Sequence, residues 1–489
     1  MIKPSLTEAK QLARGYKSIP ISRTLYADTK TPIEVLRILQ RISRHCYLLE
    51  SLEDASRWGR YTFLGYDPQM GIDCTDGAVS LHAGTRVTMR TEDPLALISQ
   101  IISDNQCPRV PGLPPFTGGL VGYFAFDFVK YSEPKLKLTA VDEEGFKDFD
   151  LMLFDKVIAF DHLRQQIFLI VQVKTADLEQ NYHKAVLELE QMAELIQSGD
   201  PAEARPLQLK SPFSALFDQA DFCKLVERAK SHIVEGDIFQ VVLSNRFSAE
   251  AEGSLLDTYR VLRTTNPSPY MFYFSSDDLE IAGASPETLV KLQDGVLHTF
   301  PLAGTRPRGQ DPEEDLRLEQ ELLADPKELA EHNMLVDLGR NDLGKISRFG
   351  TVSVEQYLSI ERFSHVMHIG STVRGEIRPD QTALDAIRAV LPAGTLSGAP
   401  KLRACEIINE LENNKRGIYG GAIGYIDFAG NMDTCIAIRI AFKKNGKVFV
   451  RSGAGIVADS VPELEHRECL NKAQAVINAL NQAAGGIDS

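Results

Sequence analysis

The sequence predicts an α+β protein on three observations: strand-like and helix-like runs come in blocks rather than in strict alternation, the helical runs are long, and the strand runs are rich in β-branched and aromatic residues. A chain of 489 residues, 43 % hydrophobic and 25 % charged, is too long for one core, so two or three domains are expected.

In chain order, "RISRHCYLLES", "FDKVIAFDH" and "QQIFLIVQV" read as strands, and "LEQNYHKAVLELEQMAELI" as a helix. The stretch 197–216, "QSGDPAEARPLQLKSPFSAL", holds a glycine, three prolines and little periodicity, and reads as a linker. This places a boundary between an N-terminal region, 1–205, and a C-terminal domain, 206–489. Beyond it, "DFCKLVERAKSHIVEGDIFQVVLSNRFS" passes from helix through "EGD" into a strand. "YMFYF", "VLHTF", "AIGYID" and "KVFVRSG" are further strands between long helices. No repeat or low-complexity tract is present.

A net charge of −14 argues against a nucleic-acid footprint or a polybasic membrane surface, while leaving room for a local cluster such as Arg306 and Arg308. The opening residues lack a signal-peptide core, and no segment approaches the roughly 18 apolar residues of a membrane span. A soluble, cytoplasmic protein is expected, with no nucleic-acid or membrane partner. Seven scattered cysteines without a C-x-x-C pair fit reduced thiols, and none lies in a Gly-x-Cys-x-Gly elbow.

Several motifs carry chemistry. In "DPKELAEHNMLVDLGRNDLGKI", Glu328 and Glu331 fall on one helix face. In "DSVPELEHRECLNKAQAV", Ser460 reads as an N-cap with Glu463 completing a capping box and Pro462 in the first turn; Glu465, Glu468 and Lys472 share one side. Two Glu-x-x-Glu helices can converge on a hard divalent ion, or be two solvated acidic faces. "VRSGAGIVADS" matches G-x-G-x-x-A, yet the 31 residues after Ala458 leave no room for a second strand, so a glycine turn offering N–H groups to a carboxylate is the better functional reading, and a plain tight turn the other. His365 and His368 are three apart, which on a strand points them to opposite faces. "PAGTLSGAPK" sets small residues and hydroxyls before a helix, an anion site or a capped loop.

The order and wording of eleven stretches resemble the family of anthranilate synthase component I, chorismate-utilising enzymes. They are "LLES" (48–51), "GDIFQVVLSNRF" (236–247), "NPSPYMFYF" (266–274), "GASPE" (283–287), "PLAGTRPRG" (301–309), "KELAEHNMLVDLGRNDLG" (327–344), "VMH" (366–368), "GTLSGAPK" (394–401), "YGGAIGY" (419–425), "DTCIAIR" (433–439) and "SGAGIV" (452–457). The resemblance implies two packed β-sheets forming a sandwich with helices outside, the N-terminal region adding strands to the same core. It implies Mg²⁺ held by Glu331 and Glu468, with Glu328 and Glu465 beside them. It implies chorismate held by Gly304, Thr305, Tyr419, Arg439, Lys472 and the Gly453–Ala454–Gly455 turn. His368, Thr395 and Glu287 match residues near the reacting ring; Glu287 must hold a proton at neutral pH, and His368 is the base for an elimination.

Two absences refine the resemblance. Relatives making 4-amino-4-deoxychorismate carry Lys where this chain has Ala303, and isochorismate and salicylate synthases carry a water-activating Lys where it has Gln240. The nucleophile is then expected to arrive as ammonia from a separate glutamine amidotransferase subunit, in a heterotetramer. "LLES" and "NPSPYM" match a feedback site, making Glu50, Ser51, Pro269, Tyr270 and Met271 the candidates for binding L-tryptophan as inhibitor. The alternatives are component I of a 4-amino-4-deoxychorismate or 2-amino-2-deoxyisochorismate synthase.

Overall fold

The computed structural model describes residues 2–52, 59–362 and 366–487. His365 lies outside the described residues.

Two large antiparallel sheets pack face to face, with helices on their outer surfaces. The first, 14-stranded, runs from the N-terminal strands through Gln166–Lys174, Lys156–Asp161, Tyr61–Tyr66 and Cys46–Glu50 to Tyr270–Ser275, Glu280–Ser285, Ile440–Lys444, Lys447–Ile456 and Gln240–Glu252. The second, 12-stranded, runs from Leu302–Pro307 and Val366–Glu376 through Thr288–Gln293, Met432–Ile436 and Ala422–Asp427 to Gly119–Phe124, Phe149–Phe154 and the hairpin ending at Thr85–Arg90. This is the expected α+β sandwich.

The sheets ignore the linker as a divide. In the first, Glu50 is the register partner of Met271; in the second, Gly122 pairs with Gly424. Residues from both sides of 205 therefore share one core. Between the sheets lie Tyr47, Phe63, Phe116, Phe154, Phe272, Phe274, Phe442 and Phe449. Strands covered on both faces need apolar residues at every position, which is why "IFLIV" reads as a run and not as an alternation.

The Pro326–Gly344 helix carries Glu328 and Glu331 as expected, and Asp325 caps it by accepting from the N–H groups of Lys327 (3.0 Å) and Glu328 (3.3 Å), with Pro326 in the first turn. The Pro462–Ala483 helix begins one residue later than expected. Its N-cap is Val461, and the Ser460 hydroxyl instead accepts from the Val457 N–H (3.1 Å), so the expected capping box does not form.

Candidate active site

The cleft is walled on one side by the strand Leu302–Pro307, which pairs with Val366–Glu376 through a bulge at Gly304. Gly304 has φ +70°, which strains any residue with a side chain, and a Cβ there would also be tight against Leu322 (3.1 Å) and a Glu328 carboxylate oxygen (3.2 Å). The bulge turns the Gly304 carbonyl onto His368, whose Nδ1 lies 2.8 Å away; Thr305 Oγ1 is 3.1 Å from the same nitrogen. A carbonyl only accepts, so Nδ1 carries the proton and Nε2 is the basic nitrogen of the neutral ring. Burial, the largest cause, and the charge of Arg439 lower the His368 pKa and outweigh the opposing Gly304 carbonyl, which favours the neutral ring at pH 7.

Glu287 follows the strand Glu280–Ser285 at the point where the chain crosses to the second sheet. Its carboxyl accepts one hydrogen bond, from the Thr395 hydroxyl at 3.1 Å. Enclosure by protein pushes its pKa up to about 7, against the opposing pull of the Thr395 hydrogen bond and of the charges on Arg439 and Lys472. Thr395 sits in the short 3₁₀ turn Gly394–Leu396, whereas the helix Lys401–Glu412 starts with Pro400 as its N-cap and no side-chain cap. The hydroxyls of "GTLS" therefore make no helix-terminal anion cradle: Ser397 donates to the Ala393 carbonyl and Thr395 serves Glu287.

Arg439 adopts the left-handed backbone region at φ +51°, unusual for a side-chain-bearing residue and typical of functional sites. Among the described residues its guanidinium makes no hydrogen bond or ion pair, and burial lowers its pKa. Its charge acts on both Glu287 and His368, so a desolvated cation lies within electrostatic reach of each.

Gly453, Ala454 and Gly455 do not form the expected turn. They lie inside the strand Lys447–Ile456, opposite Ser244, Leu243 and Val242 of Gln240–Glu252. Lack of a side chain, not backbone freedom, is what these glycines contribute: a Cβ at Gly453 would lie 2.7 Å from the Leu243 carbonyl and 3.1 Å from the Tyr419 hydroxyl, and one at Gly455 would lie 2.7 Å from Gln240 Nε2. Tyr419 and Gln240 thus close on a smooth strip of strand. Tyr419 is buried, which raises its pKa.

Beneath this strip is a charged network that sequence reading passed over. Glu412, fully buried, accepts from Arg416 (2.5 and 3.0 Å), Arg451 (2.8 Å), and the Ser244 N–H (2.8 Å) and hydroxyl (3.0 Å). Arg416 also donates to the carbonyls of Leu396 (2.6 Å) and Val242 (2.8 Å), tying the Thr395 turn to the Gln240 strand, and its guanidinium lies 4.5 Å from the centre of the Phe126 ring. The available signal was "ELENNKRG", four charges in eight residues amid otherwise apolar flanks.

Two helices bring carboxylates to the same cleft. Glu331 is partly buried and, among the described residues, has neither cation nor hydrogen-bond donor. Burial, then Glu328, then more weakly Glu468 raise its pKa, while Lys472 and Lys327 lower it. Glu465 is raised by burial and by Glu468. Like charges facing one another around an uncompensated carboxylate fit a hard cation. Lys472 joins this group to the rest: it contacts Glu468 at 2.6 Å and the Gly453 carbonyl at 3.3 Å. Away from the cleft, His232, Glu235 and Asp237 form a compact group of metal-type donors, but Asp237 is held by Arg403 at 2.6 Å.

The remaining sequence candidates gather at the seam between the two chain regions. Glu50 is buried and saturated, accepting from Tyr259 (2.5 Å), Thr62 (3.1 Å) and Arg263 (2.6 and 3.2 Å). Ser51, next along, has a buried hydroxyl without a partner among the described residues. Pro269 precedes the strand carrying Tyr270 and Met271; Met271 is buried, and the Tyr270 hydroxyl reaches Asp433 (2.8 Å) and Thr288 (3.0 Å), the residue after Glu287.

Residues 44–478 match the family described as chorismate binding enzyme. The chain is 44 % identical over 492 residues to the anthranilate synthase component 1 of Acetivibrio thermocellus, covering 99 % of each chain. It is 45 % identical over 484 residues to that of Pseudomonas aeruginosa, covering 97 % of this chain and 98 % of the relative. The crystal structure of anthranilate synthase component I from Streptococcus pneumoniae superposes with a TM-score of 0.74 at 38 % identity, over 87 % of this chain and 93 % of that one.

Proposed function

The chain belongs to the chorismate-binding enzymes, and on that premise we propose that it is the synthase component of an anthranilate synthase. It converts chorismate and ammonia to anthranilate, pyruvate and water. The feature that carries this reading is the Arg439 guanidinium within electrostatic reach of both Glu287, whose carboxyl accepts from Thr395, and His368, whose Nδ1 proton faces the Gly304 carbonyl.

Glu287 donates its proton to the departing ring hydroxyl as ammonia adds to the ring; Thr395 orients it. His368 Nε2 then takes a ring proton as pyruvate leaves and the ring becomes aromatic. Arg439, together with Lys472 and the strip around Gly453–Gly455, receives the substrate's carboxylates as charge-assisted contacts. Glu331 and Glu468, with Glu328 and Glu465 beside them, are the residues that would hold Mg²⁺. Bound Mg²⁺ supplies counter-charge to a substrate carboxylate.

Ala303 and Gln240 offer no amine to attack the ring or activate water, so the nucleophile comes from outside the chain. Burial raises the thiols of Cys46, Cys107 and Cys405 to about 12, far from the thiolate a glutaminase needs. Ammonia therefore comes from a glutamine amidotransferase subunit, in a heterotetramer. Tryptophan restrains turnover at the seam, where the orphan hydroxyl of Ser51 offers a contact and Tyr270 reaches the residue beside Glu287.

Product identification tests the reading. The purified chain with chorismate, Mg²⁺ and ammonium salts is expected to yield anthranilate and pyruvate, faster as rising pH frees ammonia, and to yield nothing from glutamine until the amidotransferase is added. An unaromatised 2-amino product would instead make it an aminodeoxyisochorismate synthase, and a 4-amino product an aminodeoxychorismate synthase.

A further inference from the structure

The carboxylates assigned to the metal are not equally available to it. Arg306, in the strand beside Gly304, bridges to Asp325 at 2.9 Å and to Glu328 at 3.4 Å, and donates to the carbonyl of Thr305 at 3.0 Å. On the facing helix Lys472 holds Glu468 at 2.6 Å. Glu331, within electrostatic reach of Glu328 and Glu468, carries no ion pair among the described residues. The four acids are thus graded: among the described residues Glu331 and Glu465 have no ion pair, while Glu328 and Glu468 are each matched by a positive charge of the chain.

A divalent ion entering at Glu331 and Glu468 meets two consequences. It competes with Lys472 for Glu468, because an oxygen lone pair engaged by an ammonium is not offered fully to a metal. It also feels the guanidinium of Arg306, which neutralises Glu328 and brings a like charge to the rim. Arg306 is half-buried and pinned by Asp325, so it cannot swing into bulk water as a fully exposed side chain would.

We propose that Arg306 is a built-in competitor of the divalent cation, held back from the pocket by Asp325, and that the contest between Asp325 and Glu328 for this one guanidinium sets how tightly the metal binds. This rests on the reading of Glu331 and Glu468 as metal-holding residues. Lys472, which contacts both Glu468 and the Gly453 carbonyl, would be the side chain free to turn toward a substrate carboxylate when a cation is held at Glu468.

Two substitutions move the metal affinity in opposite directions, a pattern that general damage to the site would not produce. Arg306→Gln removes the competitor and should tighten Mn²⁺ binding by roughly tenfold, the effect of one lost unit-charge contact of moderate strength. Asp325→Asn keeps the helix cap, since asparagine also accepts from the Lys327 and Glu328 N–H groups, but frees Arg306 to lean on Glu328, and should weaken Mn²⁺ by a few-fold. Arg306→Lys, retaining the charge, should stay near the wild-type affinity. The measurement is free-Mn²⁺ electron paramagnetic resonance on the full-length protein without substrate, with far-UV circular dichroism to show that each variant is folded. Should Arg306→Gln not fold, Asp325→Asn decides alone. Unchanged or weaker binding in a folded Arg306→Gln, or tighter binding in Asp325→Asn, overturns the proposal. Absence of any Mn²⁺ binding by the wild-type chain would overturn the metal reading itself, a distinguishable result.

Discussion

Two glutamates near Thr395 and its turn, Glu412 buried and Glu287 half-buried, behave in opposite ways. Glu412, under the floor, meets two guanidinium groups and the N–H and hydroxyl of Ser244, and its pKa is lowered because these partners outweigh the cost of burial. Glu287, in the wall, receives one threonine hydroxyl, and burial wins, pushing it up to about 7. The fold could have saturated both. That it saturates one shows how the protein divides labour: the floor uses charge to hold three chain segments together, and the wall withholds partners so that a carboxyl keeps a proton it can donate.

The largest effect should come from the floor. Glu412→Gln leaves Arg416 and Arg451 buried with no opposing charge, and is expected to cost about 3–5 kcal/mol of stability, read as a lowered denaturant midpoint. A loss well under 1 kcal/mol would mean that the network is not what joins the Thr395 turn to the Gln240 strand.

The wall should show the reverse pattern. Glu287→Gln is expected to lower kcat by about 10²–10⁴-fold, the usual contribution of a general acid, while making the protein more stable at alkaline pH. The sign follows from linkage. The unfolded carboxyl loses its proton near 4.5 and the folded one near 7, so as pH rises through that interval the unfolded state gains and the fold is weakened, fully so above 7. Glutamine removes the penalty, giving about 2–3 kcal/mol at pH 8 and none at pH 4. In the wild type, activity at saturating free ammonia should decline above pH 7 as Glu287 ionises. A variant that is dead but no more stable at pH 8 would break the comparison.

Glu468→Gln tests a third, intermediate carboxylate, already matched by Lys472 but needed by the metal. Turnover should require a Mg²⁺ concentration raised about tenfold, with little change in stability. Wild-type turnover at low Mg²⁺ would remove Glu468 from the metal site.

The smallest effect on basal activity is expected at the seam, where Ser51→Phe replaces a buried hydroxyl that has no partner among the described residues with a bulky ring. Turnover without tryptophan should stay within about twofold while inhibition is relieved, because an effector acts only through its differing affinity for two states. Full inhibition in this variant would detach the "LLES" segment from regulation.

The amino-acid sequence by itself determined the local elements and the residue types of the cleft. "IFLIV" and "YMFYF" are strands because only a doubly covered strand tolerates such runs, and Asp325 with Pro326 starts a helix wherever it is placed. Wording alone also singled out Glu287, His368 and Arg439. It misplaced what depends on neighbours distant in the chain. "SGAGIV" has the composition of a turn, yet it is a strand paired with Gln240–Glu252, where Gln240 of that strand and Tyr419 from another part of the chain stand close to where side chains would be. Ser460 has the composition of a cap, yet its hydroxyl serves Val457. Only the tertiary structure decided which acid keeps its proton, since the partner of Glu287 lies 108 residues away and the carbonyl that sets the tautomer of His368 lies 64 away. The physical reason is that a helix or strand is settled by contacts within a few residues, whereas a pKa is settled by whatever the folded chain packs around the group, and that environment exists only once the two sheets have closed on each other.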